Sequence, residues 1–467
     1  MPDNLTRREF LKDLGLLGLA GGVLPAAAGL APIRAIGEEW ADKAGTSKRP
    51  AWVKEVAKPT IEIDWDVMER YAENHTVRRG LGLYTTEDEV QAWQDAGAAR
   101  AERLLKEGRP GYTLRDLALD EGVGWSPPSV DGFIGPQEAP TPEDRGVPRW
   151  EGSPEENAMM VRAALRHLGA ATVGFVKLEP DTTEKLIYSV DPDGKEMRIE
   201  DVDQPSEGED YRVIPKKARY AIVWTVQMSQ ETLTRAPTPL GAMTTSLTYR
   251  RNSFIQPRLQ EFLRGLGYMG IGESSTNALG IAPAFGTMAG LGEMSRLNRL
   301  ITPEYGPMVR VFKMLTDLPV ATTGPIDAGI MEFCRYCKTC AEYCPSGALS
   351  YDTDPTWETR GGWNNPGHKA YFEDSVKCRE YWYSVATTNC GICFAVCPFA
   401  QKDKAAIHNL VQTTIAATPA LDKSFVNASR LAYLTKPAGE PQKDPNEWWT
   451  LDIAEYGIDT TRGHDQA

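Results

Sequence analysis

The sequence predicts an α/β (α+β) core with a small cysteine-rich unit appended near its C-terminal end. Two helix-to-strand units of matching form predict the core, and eight cysteines confined to residues 334–397 predict the appended unit. At 467 residues the chain is too long for one ordinary core. The reading divides it into a leader (1–36), a wrapping segment (37–150), the α/β core (151–325), the cysteine-rich unit (326–402) and a terminal segment (403–467).

The leader reads as an address. "TRREFLK", Thr6 to Lys12, carries Arg7-Arg8 ahead of an apolar, Gly/Ala-rich stretch from Leu14 to Leu30, the pattern of a twin-arginine export signal. Gly residues and Pro25 interrupt that stretch, which is short for a membrane span. From Gly37 to Trp150, short helical patterns alternate with Pro/Gly punctuation, so a wrapping segment with little regular structure is expected.

In the core, "SPEENAMMVRAALRHLG" predicts a helix: Ser153 as N-cap, Pro154 at the first helical position, Glu156 closing a capping box and Gly169 ending it. "ATVGFVKLEP" follows as a strand. Residues 191–210 are acidic and turn-rich, a surface loop or hairpin, and Ala218 to Met228 reads as a buried strand. "SFIQPRLQEFLRGLGYMGIGE" repeats the unit, with a helix over Ser253 to Leu266, a stop at Gly267 and a further strand. "VRVFKMLTDL", from Val309, adds one more strand. The terminal segment, with "NEWWTLDIAEYG", is expected to pack back on the core.

"CRYCKTCAEYCP", Cys334 to Pro345, has the spacing C-x2-C-x2-C-x3-C-P of bacterial ferredoxins, in which the fourth cysteine serves the other cluster. "CREYWYSVATTNCGICFAVCP" completes a second run, Cys378, Cys390, Cys393 and Cys397, with its first gap stretched to eleven residues. Applying the crossed rule, Cys334, Cys337, Cys340 and Cys397 hold one [4Fe–4S] cluster, and Cys344, Cys378, Cys390 and Cys393 the other. Zinc competes for C-x2-C pairs, but two C-x3-C-P endings favour clusters over zinc or a disulfide framework. The leader fits this chemistry, because the twin-arginine route carries folded, cofactor-loaded cargo.

A net charge of -13 disfavours a nucleic-acid partner. No G-x-G-x-x-G opens a helix, no P-loop occurs, and His75, His167, His368, His408 and His464 are too scattered for a haem or zinc motif.

Leader, α/β core and double-cluster unit with a stretched first gap together resemble the respiratory reductive dehalogenases over essentially the whole chain. The resemblance implies a nitroreductase-like core holding a corrinoid (a cobamide) base-off, which suits the absence of a D-x-H-x-x-G motif. It implies Tyr249 as proton donor, from "SLTYRRNSF" before "FLRGLGY", and Arg310 as the cation beside it, from "GLGEMSR" followed by "EYGPMVRVF". Asn277, in "GESSTNALGIAP", is the third implied site residue. The implied activity is two-electron removal of halogen from a small organohalide, chlorinated ethenes or alkanes, as the terminal step of organohalide respiration. A low-potential electron donor and a small hydrophobic membrane-anchor protein are the implied partners, at the outer face of the cytoplasmic membrane. The rivals are an exported double-cluster electron carrier without corrinoid and an enzyme like the epoxyqueuosine reductases, which act on transfer RNA in the cytoplasm.

Overall fold

A computed structural model describes residues 53–123, 132–400, 434 and 436–458; the leader lies outside these residues. Helix α1 spans Glu87–Lys106, where the sequence reading expected little regular structure. It starts at a capping box, the Thr86 hydroxyl accepting from the Glu89 amide while the Glu89 carboxylate accepts from the Thr86 amide. Its Gly97 lies so near the next layer that a Cβ there would stand 1.9 Å from the carbonyl oxygen of Tyr383.

Helix α2 (Pro154–Leu168) has the expected Ser153–Glu156 box and ends at Gly169, whose φ of 109° suits a residue without a Cβ. It leads into β1 (Thr172–Lys177), which pairs antiparallel with β2 (Tyr220–Gln227). Helix α3 runs from Pro239 to Leu266, capped by Thr238 and ended by Gly267. After it, α4 covers Ala282–Met288 and β3 covers Val309–Thr316. The central sheet is β1-β2-β3, antiparallel throughout, with Trp224 opposite Phe312 and Val226 opposite Arg310.

Both faces of this sheet are buried, so its strands read as continuous apolar runs. Phe175, Ile222, Trp224, Phe312 and Met314 point to one face and pack with Val161 and Leu165 of α2 and Ile255, Leu259 and Leu263 of α3. Val176, Ala221, Val223 and Leu315 point to the other, against Phe285 and Ala289. Each fully buried Leu or Phe contributes about 2 kcal/mol of hydrophobic stabilisation.

Three expectations need correcting. The second core helix begins at Pro239 rather than Ser253, placing Tyr249 inside it. Its first half, "PLGAMTTSLT", is buried nearly all round and rich in Gly, Thr and Ser, so it shows neither an amphipathic stripe nor strong helix propensity. The strand expected after Gly267 is only a bridge between Ile271 and Leu315. The loop or hairpin expected over residues 191–210 is in part a hairpin, Ser206–Glu207 pairing antiparallel with Tyr211–Pro215, but Glu196–Glu200 also pairs parallel with that same strand.

The cysteine-rich unit begins with α5 (Ile330–Cys337) and includes α6 (Ser375–Tyr381). It shares a continuous core with the rest of the chain: Met228, Leu233 and Met294 cluster with Cys334, Val396 and Phe399. In the terminal segment Trp449 Nε1 donates to Asp116 and Trp448 Nε1 to Thr232, while Arg251 of α3 lies over the Tyr456 ring. No helix among the described residues is long and apolar enough to cross a membrane.

Candidate active site

Helix α3, strand β3 and the segment between α3 and α4 bring the three implied site residues together. The Tyr249 hydroxyl donates to Oδ1 of Asn277 at 3.0 Å, and its ring meets Phe312 of β3 edge-on. Arg310, on β3, donates through Nη2 to the Thr245 hydroxyl at 3.2 Å, one turn of α3 before Tyr249. Its guanidinium lies 5.8 Å from the Tyr249 ring centroid and 5.3 Å from that of Phe394, the neighbour of Cys393. Burial pulls the Arg310 pKa down, and the phenol oxygen of Tyr249 opposes that shift. Among the described residues, its buried Nε meets no hydrogen-bond partner. Asn277 has a φ of 64°, in the left-handed region that asparagine tolerates better than most residues.

These residues line one cavity of about 1170 Å³. That exceeds the 300–1,000 Å³ or so of pockets for drug-sized ligands, so it suits a large cofactor and a small substrate together. Tyr381, Trp382 and Tyr383, from the stretched gap between Cys378 and Cys390, form part of its wall with Trp65 and Trp363. Arg78 also lines it and interacts electrostatically with Tyr249, although no sequence motif marks it. Glu73 lines the cavity as a buried carboxyl, raised to about 7 by desolvation despite Arg79 and Arg78 nearby.

The eight cysteines fall into two groups. Cys344, Cys378, Cys390 and Cys393 line the large cavity, whereas Cys334, Cys337, Cys340 and Cys397 line a separate small space with Arg296. Cys344 therefore sits with the second run and Cys397 with the first. All eight are free, without disulfides. Burial pushes the Cys334 thiol up to about 12 and raises Cys340, Cys378 and Cys397 as well. Thiolates in such surroundings need positive charge nearby, which cluster iron supplies. Among the described residues, no three His, Cys, Asp or Glu side chains are arranged to hold a single metal ion. The cysteines ring two spaces instead, as a cluster with its own bridging sulfides requires. The residues thus fit iron–sulfur clusters at both quartets and a corrinoid in the large cavity.

Comparison with known proteins identifies the family. Residues 48–320 match the reductive dehalogenase subunit family, and residues 333–400 match the 4Fe-4S double cluster binding domain. The chain is 30% identical to a tetrachloroethene reductive dehalogenase of Sulfurospirillum multivorans, over 99% of this chain and 96% of that protein. It is 27% identical to a trichloroethene reductive dehalogenase of Dehalococcoides mccartyi, over 95% and 96% of the two chains. Likeness to an epoxyqueuosine reductase of Lactococcus garvieae, 28% identical, extends over 25% of this chain. In fold it resembles the catabolic reductive dehalogenase NpRdhA, with a TM-score of 0.59 at 21% identity, covering 83% of this chain and 49% of that one. The chain thus spans about half the length of that solved protein but nearly all of the two dehalogenases above. The chain belongs to the reductive dehalogenase family, oxidoreductases that act on carbon–halogen bonds.

Proposed function

We propose that the chain removes halogen from a small organohalide, replacing it with hydrogen: two electrons and one proton enter, and halide leaves. One observation carries this reading. A single cavity is lined both by Tyr249, Asn277 and Arg310 and by the cysteines Cys344, Cys378, Cys390 and Cys393. An electron-delivering centre and a proton donor therefore face one space.

Cys334, Cys337, Cys340 and Cys397 would hold one [4Fe–4S] cluster and Cys344, Cys378, Cys390 and Cys393 a second, and these would supply one-electron transfer towards the cavity. The quartet that lines the cavity is the inner one. A corrinoid held base-off there, when bound, supplies the reductive cleavage of the carbon–halogen bond. Tyr249 supplies the proton from its hydroxyl, which leaves its bond to Asn277 as it does so. Arg310, held in place by Thr245, stabilises the phenolate left behind, and Arg78 adds a second cation. The aromatic wall around Trp382 excludes water and favours an apolar substrate. Chlorinated ethenes or small chlorinated alkanes fit that chemistry, in line with the chloroethene substrates named for the relatives above.

The same reading has the chain exported by the twin-arginine route and peripheral at the outer face of the cytoplasmic membrane. There a small hydrophobic protein anchors it and a low-potential donor reduces it. The test is halide release by anaerobically reconstituted protein, given trichloroethene and a low-potential viologen. Two electrons consumed per chloride released supports the reading; viologen oxidation blind to the substrate contradicts it.

A further inference from the structure

The loop that carries Asn277 is tied to the same two elements that carry Tyr249 and Arg310. It starts from a fixed point beside β3, because Ile271 and Leu315 exchange both main-chain bonds at 2.8 Å. Two buried side chains then hold Glu273, four residues before Asn277. Gln256 lies seven residues after Tyr249, two turns further along the same face of α3. Its Oε1 accepts from the Glu273 amide at 3.2 Å, and its Nε2 donates to the Glu273 carbonyl at 3.0 Å. Nε2 also donates to the carbonyl of Gly132 at 3.2 Å. A Cβ at Gly132 would stand 2.1 Å from the Glu273 carbonyl oxygen, so the glycine is what admits this close approach.

From the other side, Lys313 of β3 donates to the Glu273 carboxylate. Lys313 is 0% and Gln256 6% exposed, so water competes with neither tie. The loop has further ties: the Ser274 hydroxyl donates to Asp191 at 3.3 Å, and Arg79 Nη2 donates to the Ser275 hydroxyl at 3.1 Å. These fasten it to segments that carry neither Tyr249 nor Arg310. The Glu273 ties differ, because each runs to an element that also presents a site residue.

We propose that Gln256 and Lys313, acting through Glu273, are positioning residues that set the distance between Asn277 and the Tyr249 phenol. Neither side chain lines the cavity, so both act on the reaction from outside it. Helix α3 thus supplies the phenol and, two turns on, a clamp on the loop that receives its hydrogen bond. The inference rests on the proton-donor role given to Tyr249 in the preceding section.

Chloride release by the anaerobically reconstituted full chain, measured in a double-mutant cycle with Asn277→Gly, tests it. Gln256→Met keeps the length of the side chain and removes its hydrogen bonds. In the wild-type background it should lower kcat about tenfold, the worth of one hydrogen bond, with KM unchanged. In the Asn277→Gly background, where that bond is already gone, it should lower kcat no further. The denaturant midpoint should fall alike in both backgrounds, which separates the packing cost from the positioning effect. If Gln256→Met does not fold, Glu273→Met combined with Lys313→Met takes its place in the cycle, since removing both members of a buried ion pair leaves no orphaned charge. An equal loss of kcat in both backgrounds, an unchanged kcat in the wild-type background, or a change in KM alone overturns the inference. A wild type that releases no chloride overturns the reading of the preceding section, and the inference falls with it.

Discussion

The hydroxyl of Tyr249, inside α3, donates to Oδ1 of Asn277, a residue in left-handed backbone conformation 28 positions later. The bond fixes the direction of the phenol within the cavity. Arg310 approaches the same ring from β3, so residues from three parts of the chain meet at one phenol.

Tyr249→Phe should retain both clusters and the bound corrinoid, because the ring and its edge contact with Phe312 survive. Losing the proton donor should lower turnover about 10²–10⁴-fold. Initial rates of chloride release, normalised to iron and cobalt content, check this; wild-type turnover removes Tyr249 from the mechanism.

Asn277→Gly should cost about tenfold in turnover, the worth of one hydrogen bond of about 1.4 kcal/mol, with little change in stability. Asn277→Ala loses the same bond and also forces a Cβ residue to a φ of 64°, so it should be about 1 kcal/mol less stable than the glycine variant. Paired thermal melts and rates separate the two effects.

Gly97→Ala tests the packing of α1 on the aromatic wall. Helix propensity alone favours Ala by about 1 kcal/mol. The added Cβ would meet the Tyr383 carbonyl at 1.9 Å, and relieving that overlap costs about 1–3 kcal/mol. A net loss in denaturant midpoint, with a raised KM, is the expected result.

Glu73 gives the fold a pH dependence. Its carboxyl is raised from 4.5 to about 7, so between these values the folded state holds more protons than the unfolded chain. Stability then falls as pH rises through that window, by roughly 3 kcal/mol in total. Glu73→Gln should flatten this slope in urea titrations between pH 5 and 8, approximately the window set by the shift.

The crossed cysteine grouping predicts that Cys397→Ala and Cys334→Ala remove the same cluster, although the residues belong to different runs. Each variant should retain about four irons of eight and lose the same resonance signal. Loss of different signals would contradict the grouping.

The cysteines were the most legible part of the sequence, because cluster geometry fixes their spacing and every member of both runs is present. Core strands were legible as apolar runs, since the central sheet is buried on both faces. The first half of α3 was not, because burial around the whole helix replaces an amphipathic stripe with Thr, Ser and Gly. Helix α1 escaped notice amid Pro/Gly punctuation, although Thr86 and Glu89 form a readable capping box. Tyr249, Arg310 and Asn277 were found by resemblance, and only the fold shows that they meet. Arg78 and Glu73 carry no local signal at all: their significance comes from burial beside groups distant in sequence.

The most direct test of the central claim is to count iron, sulfide and cobalt per chain after anaerobic reconstitution with corrinoid. About eight irons, eight sulfides and one cobalt are predicted, from two four-iron clusters and one corrinoid in the cavity beside Tyr249. Eight irons without cobalt, with corrinoid supplied in excess, would contradict the account and leave an electron carrier in its place.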